Sequence, residues 1–528
     1  MSVFCKKRKH RIVKALLPIA LIMTLVSLYG CGQVSESESV IGDKEQEQAK
    51  ADPALGLSID VPISTPSILV DQMGYRTGSE KIVVFKGENV PDTFEIRRVD
   101  NDKNVYTGKI SGKTFNSTLN EYDSYGTFTE FQSDGEYYIY TDTAGSSYSF
   151  VISENVYDDV FKNALKQYYY NRCGMALTDE YAGTHAHGVC HTKEASLVGD
   201  GSTLLDVTGG WHLDENANRD VQTGAEIVSN LLFAYEMNTD AFTDEMDIPE
   251  SGNGIPDILD EVKYETDWML KMQDNTTGAV YTSANTEASN SDNLLSSSVV
   301  ITAATNDATI SFVTAEAKTG YMYRNIDEDY SAKCIEAADK AYDNYCESAD
   351  PKTDTKAFYA AAELYRATGD KKYEKLLSYF FSQSTFISGF SKDENLLLGS
   401  ITYLMTSKPV NSSVCSNLME AIMDNASGIL SRADKSRYYV ADEDISDTKN
   451  LLFEMKFLTV ADHIMYSHEY TQVIENHVHF LMGRNTRAID LIDEDAQHSF
   501  QSIDDTVGIT NQPVSDSEFI VILSTLMK

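Results

Sequence analysis

The residues best suited to chemistry lie between Asp206 and Asp220, in the run Asp-Val-Thr-Gly-Gly-Trp-His-Leu-Asp-Glu-Asn-Ala-Asn-Arg-Asp. Two adjacent glycines let the backbone turn sharply and approach a ligand, and carboxylates and amides follow them. The pattern predicts an irregular loop. Acidic side chains clustered there suit acid–base catalysis or metal binding. Ordinary turns share this composition, so the choice between a functional loop and a simple turn depends on the sequence on either side.

The first 30 of the 528 residues are predicted to be a bacterial lipoprotein signal peptide. Six basic residues precede an apolar run from Ala15 to Leu28, and Leu28-Tyr-Gly-Cys31 then fits the pattern in which a cysteine is lipidated. An ordinary signal peptide or a single membrane helix is the alternative. Lipidation of Cys31 would anchor the protein at the extracellular face of the bacterial cytoplasmic membrane. Residues 31–66, rich in Ser, Glu, Gln and Asp, are predicted to be a flexible linker.

The charge of the chain excludes some partners. Its formal net charge is −38, and loss of residues 1–30 removes six basic and no acidic groups, which leaves −44. Such a surface repels nucleic acid and anionic lipid, so we expect no nucleic-acid partner. The charge suits a neutral ligand or divalent cations. We also expect a monomer.

Two structural domains should follow the linker. Residues 67–153 contain short β-branched and aromatic runs separated by turn residues, which predict a β-sandwich of immunoglobulin size. Residues 157–528 change to helical periodicity and predict an all-α helical array. The predicted strands are 68–70, 81–85, 94–99, 127–131, 136–140 and 148–152, and the predicted helices are 158–170, 255–273, 303–320, 330–347, 355–368, 371–383, 451–467 and 515–526.

Several motifs together resemble glycoside hydrolase family 9, a cellulase family whose members often carry an N-terminal immunoglobulin-like domain. The resemblance implies an (α/α)6 barrel preceded by the β-sandwich, and a β-1,4-glucan-type polysaccharide as substrate. The motifs are Val70-Asp-Gln-Met-Gly-Tyr75, Tyr170-Asn-Arg-Cys-Gly174, Tyr181–His191, Asp206–His212, Ile248-Pro-Glu-Ser-Gly-Asn-Gly-Ile-Pro-Asp-Ile-Leu-Asp-Glu261 and Ala361–Asp370.

The resemblance also implies that the catalytic pair has been replaced. Family members take the base from Asp-Ala-Gly-Asp after Gly-Gly-Trp, and an ungapped alignment puts Leu213 at the first Asp and Asn216 at the base. The acid is the Glu of an Asn-Glu motif near the C-terminus, where Gln512 stands here. A carboxamide can neither take a proton from water at neutral pH nor protonate a departing sugar.

Other carboxylates leave an alternative open. Asp214 or Glu215 could act as the base and Asp516 or Glu518 as the acid, although all four are expected to be solvated surface charges. The family's substrate-contacting His/Arg cluster is also missing, since residues 490–498 read Asp-Leu-Ile-Asp-Glu-Asp-Ala-Gln-His.

A metal site is expected to survive. Some family members hold a structural zinc with two cysteines and two histidines, and the matching residues are Cys173, Cys190, His191 and His212. A Cys173–Cys190 disulfide is the alternative. Calcium is often bound in this family, and Glu250–Gly254 could form a turn with oxygen ligands, but no calcium ligand is assigned. Cys334, Cys346 and Cys415 are expected to be buried free thiols.

Trp211 could stack on a sugar ring, with core packing beneath the loop as the alternative. The sequence therefore predicts a surface-anchored, family 9-like protein that recognises a β-glucan and is catalytically impaired, a pseudoenzyme. The alternatives are an active inverting β-glycosidase with relocated carboxylates, and an envelope scaffold with no glycan role.

Overall fold

The structure is a computed structural model that describes residues 66–117, 120–287, 294–492, 501–504, 508–511 and 513–527. The predicted signal peptide, Cys31, almost all of the linker and Gln512 lie outside the described residues. Among the helices that the structure describes, none is both long and apolar enough to cross a membrane.

The first described domain is built from nine strands. Their hydrogen-bonded order is β1-β3-β6-β5-β4-β7-β9-β2, with β8 on β7. The long strand β5 joins two layers, because its first half pairs with β4 and its second half with β6. The strands are β1 (Ile68–Leu69), β2 (Gly74–Tyr75), β3 (Ile82–Lys86), β4 (Thr93–Arg98), β5 (Asn104–Asn116), β6 (Glu121–Thr127), β7 (Gly135–Thr141), β8 (Gly145–Ser146) and β9 (Phe150–Ile152).

Alternating residues of these strands enclose a separate apolar core, which includes Val83, Phe94 and Ile139. This arrangement agrees with the predicted β-sandwich. Two strand predictions fail: β5 and β6 were not expected, and residues 128–131 form a turn rather than a strand. Much of β5 is exposed and carries Gly, Lys, Ser and Asn, so its sequence lacks the apolar alternation that marks a half-buried strand.

The motif Val70–Tyr75 joins the sandwich to the helical domain. Asp71 Oδ2 lies 2.7 Å from Nδ1 of His479, and the backbone N–H of Gln72 donates to the carbonyl of Met482 at 2.8 Å. The side-chain amide of Gln72 also donates to the carbonyl of Ala488. A motif singled out in the sequence therefore forms part of the contact between domains.

The second domain contains fourteen described helices. They are α1 (Asp158–Tyr170), α2 (Asp179–Ala182), α3 (Val221–Met237), α4 (Asp257–Lys271), α5 (Asn306–Tyr323), α6 (Glu328–Ser348), α7 (Thr355–Thr368), α8 (Lys371–Phe381), α9 (Phe386–Gly389), α10 (Glu394–Met405), α11 (Ser412–Ala433), α12 (Thr448–Ile464), α13 (His468–Leu481) and α14 (Pro513–Leu526). All eight predicted helices are present, and their ends shift by at most a few residues.

Six of these helices form an inner set. Helix α14 packs on α3, α3 on α5, α5 on α7, α7 on α10, and α12 on α14. Six other helices, α1, α4, α6, α8, α11 and α13, alternate with this inner set along the chain and carry exposed residues along one side. This alternation of inner and outer helices is consistent with the (α/α)6 barrel that the resemblance implies.

Six described helices, α2, α3, α9, α10, α11 and α13, were not predicted individually, and two of them, α3 and α10, are buried on nearly every side. Residues 396–403 of α10 are all buried, as are most residues of α3 between Val221 and Ala234. A helix that is apolar all round shows no polar face, so periodicity does not reveal it.

A five-stranded sheet beside the helices frames the loop 206–220. Its order is β11-β10-β14-β13-β12, and the loop connects β11 to β12. A separate pair, β15 and β16, precedes α14. The strands are β10 (Ala195–Leu197), β11 (Asp200–Leu205), β12 (Arg219–Asp220), β13 (Ser283–Thr286), β14 (Val299–Ile301), β15 (Gln501–Asp504) and β16 (Gly508–Asn511).

Candidate active-site cleft and metal centre

Buried carboxyl groups of α4 hold the loop 206–220 in place. The backbone N–H of Trp211 donates to Glu265 at 2.7 Å, and its indole N–H lies 3.4 Å from Glu261. Gly210 has a φ of +77°, and a Cβ atom there would lie 2.6 Å from the Trp268 ring. The glycine is therefore required both by its backbone conformation and by close packing. The predicted irregular loop is present and tightly supported.

Trp211 has no exposed surface, and its ring packs against Tyr168 with 4.8 Å between ring centroids. A sugar needs an accessible aromatic face to stack on. The burial contradicts the prediction that Trp211 binds substrate and supports the alternative of core packing. Trp268 also lies in the core.

The segment that resembles the family's catalytic loop forms a tight turn. Asp214 Oδ1 accepts the backbone N–H groups of Asn216 and Asn218, and Oδ2 accepts the side-chain amide of Asn218. Asn216 and Glu215 are exposed, whereas Leu213 is buried. The carboxylate of Asp214 thus stabilises the turn, which is the common role of Asp at such positions. Glu215 remains a surface charge.

The two acids proposed near the C-terminus are not surface charges. Asp516 is fully buried, and Glu518 is 2% exposed. Gln512 lies outside the described residues, between β16 and α14. The expectation of solvated acids is therefore wrong for this pair, because α14 belongs to the inner set of helices.

Cys173, Cys190, His191 and His212 converge as predicted. All four are buried, and one ligand atom from each lies within 4.8 Å of the others. The two Sγ atoms are 3.9 Å apart, Cys173 Sγ lies 3.5 Å from His191 Nδ1, and Cys190 Sγ lies 3.8 Å from His212 Nε2. Two thiolates about 2.3 Å from one tetrahedral zinc would be roughly 3.8 Å apart. The donor set and its spacing therefore fit a metal ion.

Backbone contacts bring these four residues together. The N–H of Cys173 donates to the carbonyl of Gly210, and the N–H of His212 donates to the carbonyl of Asn171. These two bonds pair the loop with the segment after α1. His191 directs Nε2 toward the Leu294 carbonyl at 3.2 Å, as metal-bound histidines usually direct their second nitrogen.

The protonation of the cluster also suits metal binding. Burial lowers the pKa of His212, which keeps its imidazole neutral near pH 7. The hydrogen bond from Cys173 lowers the pKa of the Cys190 thiol. Because both cysteines are free, the alternative of a disulfide is not adopted in this structure.

The structure contradicts part of the expectation for the three remaining cysteines and does not test calcium binding. Cys334 is buried, but Cys346 is exposed and Cys415 is partly exposed, so two of the three thiols are not core residues. In the turn Glu250–Gly254, Glu250 pairs with Arg172 at 2.9 Å. The Glu250 carboxylate therefore already has a cationic partner in Arg172. Calcium binding at this turn stays a prediction.

A cleft with a cavity volume of about 570 Å³ opens at the amino-terminal ends of the inner helices. None of residues 206–220, all of them described, lines it, although Gln222 just beyond the loop does. Its lining residues come from all six inner helices and the residues that precede them. They include Gln222, Ser311, Tyr359, Asp393, Asn450 and Glu518. Cavities of this size and polarity accommodate small ligands or a few sugar units.

We call Glu226, Asn230, Glu394 and Glu518 the cleft floor. Lys456 is fully buried beneath it and donates to Glu518 at 2.9 Å, to Asn230 at 3.1 Å, and to Glu394. Burial alone would lower the pKa of Lys456, but the two carboxylates outweigh burial and raise it. Apart from Glu518, none of these residues was predicted from the sequence, although a lysine within the apolar run of α12 was a usable signal.

A second buried ion cluster lies deeper among the inner helices. Lys318 and Arg366 both contact Glu236 and Glu363, and all four side chains are 10% exposed or less. Lys318 Nζ also lies 3.3 Å from the hydroxyl of Tyr359, which lines the cleft. This cluster therefore supports one wall of the cleft from within the helical core.

Glu265 is expected to make stability depend on pH. Burial raises its pKa from 4.5 to about 8. The folded state therefore holds a proton that the unfolded state loses, so this contribution is complete below pH 4.5 and is lost as pH rises through 8. The total is on the order of 5 kcal/mol. Glu265→Gln should make the free energy of unfolding depend less on pH between pH 5 and 8.5, as measured by denaturant titration at each pH.

The glutamine is a close test of this expectation because its carbonyl can still accept the Trp211 N–H. Glu336→Gln, at an exposed position on α6, is the matched control and should leave the pH profile unchanged. An equally steep profile in Glu265→Gln would show that the pKa of Glu265 is not raised.

Comparison with known proteins adds a family context to this geometry. Residues 157–492 match the family model for glycosyl hydrolase family 9, and residues 64–146 match the model for the cellulase N-terminal ig-like domain. Endoglucanase D of Acetivibrio thermocellus is 28% identical over 415 residues, which cover 72% of this chain and 66% of that protein. The chain thus matches slightly less than two thirds of this relative's length.

Solved structures agree on the fold. A metagenome-derived glycoside hydrolase family 9 endoglucanase superposes with a TM-score of 0.75 at 21% identity, covering 87% of this chain and 98% of that one. A Zn-binding triple mutant of a family 9 endoglucanase superposes with a TM-score of 0.73 at 20% identity, covering 86% of this chain and all of that one.

Proposed function

The chain belongs to glycosyl hydrolase family 9, and on that basis we propose that it recognises a β-1,4-glucan-type polysaccharide in the cleft and is impaired as a hydrolase. The binding half of this proposal is supported by the cleft itself. It is open and lined mainly by hydroxyl, amide and charged side chains, which suit the hydroxyl groups of a sugar chain.

One observation carries the proposal of impaired catalysis: the family's base position is a carboxamide, and neither neighbouring carboxylate of the turn, Asp214 or Glu215, lines the cleft. Position 216 is a carboxamide, and Asp214 accepts three hydrogen bonds from the turn itself. Inverting hydrolysis requires a base that takes a proton from water and an acid that protonates the leaving oxygen. With Asn216 at the family's base position and Gln512 at its acid position, neither proton transfer has a carboxyl group to carry it out.

Hydrolysis by relocated carboxylates is the second candidate, and the cleft floor favours it. Glu226, Glu394 and Glu518 all line the cleft, and burial raises the pKa of Glu226, as suits a general acid. Against it, Glu394 and Glu518 both pair with the buried ammonium group of Lys456, so their oxygens already have a partner in the chain.

We assign the metal cluster a structural role with zinc as the ion. Cys173, Cys190, His191 and His212 would complete a four-ligand set with no open position, which gives zinc no place for water or substrate. Bound zinc would supply a cross-link. The four residues themselves would hold the loop 206–220 against the segment that follows α1.

The proposed location is the outer face of the cytoplasmic membrane, with Cys31 as the lipid-bearing residue. The basic and apolar pattern of residues 1–30 supports this proposal. Mass spectrometry of protein extracted from membranes should detect acyl chains on Cys31, and Cys31→Ser should move the protein to the soluble fraction.

A paired assay tests the proposed function. The unmodified protein should bind β-1,4-glucan oligosaccharides on a glycan array and release no reducing sugar from soluble cellulose derivatives above the background of buffer. Turnover that is lost in Glu226→Gln would favour the relocated-carboxylate candidate. A blank array together with no turnover would leave the scaffold alternative.

A further inference from the structure

The charges of the cleft floor are unbalanced. Glu394 and Glu518 pair with Lys456, while Asp393 and Asp447 cap helices α10 and α12 by accepting backbone N–H groups. Among the described residues that line the cleft, Glu226 is the carboxyl group without a hydrogen bond or ion pair to the rest of the chain. It is partly exposed, so a ligand can reach it.

The floor already stabilises a buried ammonium group. Lys456 has no exposed surface, yet its pKa stays above the ordinary value of 10.5 because Glu394 and Glu518 surround it. An amine buried without such partners would lose its proton instead. Lys456 balances one of the two carboxylates that it contacts, and Glu226 adds a further carboxyl group on the cleft side, so the floor holds more carboxyl groups than ammonium groups.

Aromatic stacking is a weak basis for recognition here. The chain has two tryptophans, and both are buried, at 0% and 1% exposure. Of the two aromatic residues that line the cleft, Tyr359 is 3% exposed and Phe453 is partly exposed, so Phe453 alone of the two offers ring surface to a ligand. A glycan in this cleft must therefore be held mainly by polar and charged contacts rather than by its apolar faces.

We propose that Glu226 makes this cleft selective for a β-1,4-linked glycan whose sugars carry free amino groups. This inference rests on the proposed function, glycan recognition in the cleft. A protonated amine on the sugar would pair with Glu226 and enter the negative potential of the floor. The formal charge of −38 would also attract a cationic polymer and repel an anionic one.

The lysines that line the cleft do not reverse this preference. Lys356 pairs with Asp307 at 3.0 Å, and Lys392 and Lys449 are exposed. Charges at such positions are screened by water and salt, whereas the floor is mostly shielded from both.

Calorimetric titration of the full chain with three β-1,4-linked hexasaccharides tests this proposal. The sugars are glucosamine, N-acetylglucosamine and glucose hexamers. We expect the glucosamine hexamer to bind at least about tenfold more tightly than the other two, with the preference shrinking as salt rises. Glu226→Gln should abolish the preference of the protein for the glucosamine hexamer over the glucose hexamer. Glu420→Gln, with the same charge change at an exposed position on α11, should leave the preference intact.

The outcomes separate the two proposals. Equal affinity for all three hexamers would overturn the amino-sugar selectivity and leave glycan recognition standing. Failure to bind any hexamer would overturn both. The preference of the unmodified protein and its salt dependence are measured without a variant, so poor folding of Glu226→Gln would not remove the test.

Discussion

The double variant Asn216→Asp, Gln512→Glu is expected to hydrolyse soluble cellulose derivatives at least about 10²-fold faster than the unmodified protein. General acid and base groups each contribute roughly 10²–10⁴-fold to such reactions. The gain should fall short of the product of both factors because Leu213 still stands at the first Asp of the family motif, and because Asp214 holds the turn in its present shape. Reducing-sugar release at matched protein concentration measures this gain.

The two single variants are the internal control. The acid and base act in the same transition state, so Asn216→Asp and Gln512→Glu alone should each recover far less than the pair. Since Asn216 is exposed, Asn216→Asp should change the free energy of unfolding by less than about 0.5 kcal/mol. A double variant as inactive as the unmodified protein would show that more than the catalytic pair has been lost.

Removal of the metal should destabilise the protein more than most single substitutions. We expect one zinc per chain by elemental analysis, and a fall in melting temperature of about 10 °C when a strong chelator removes it. The physical reason is that chelation breaks the link among four buried residues and leaves polar ligand atoms without a partner. Calorimetric melting of the same sample before and after chelation, and after zinc is restored, gives the measurement.

Substitution at a ligand should reproduce the effect of chelation. Cys190→Ser should lose most of its zinc and melt near the temperature of the chelated protein. Cys415→Ser, which removes a partly exposed thiol on α11, should keep both zinc content and melting temperature. Protein that contains no zinc as purified from zinc-supplemented medium, or that melts unchanged after chelation, would contradict the structural role.

The features predicted correctly from the sequence are those that depend on residue type and short spacing. The ligand set Cys173, Cys190, His191 and His212 was identified from matched positions, and the structure brings all four together. Local patterns also located α1 and α7 to the residue. These features depend on residue type and spacing, which a single sequence displays directly.

Burial was harder to predict. Trp211 and Glu518 looked like accessible groups on a loop and near a terminus, yet both are buried because helices distant in sequence cover them. The cleft floor has the same origin. Residues from α3, α10 and α14 meet around Lys456 of α12 across more than 200 positions, and no local pattern connects them.

The sequence by itself determined the two domains, the family resemblance and the four cysteine and histidine residues that converge in the structure, and it predicts carboxamides at the two family catalytic positions. These follow from short-range patterns and residue identity. Only the tertiary structure decided that Trp211 is a core residue, that Asp214 serves the turn, and that Glu226 faces the cleft without a partner. Such facts depend on which distant surfaces pack together, because packing sets both the burial of a group and the charges that surround it.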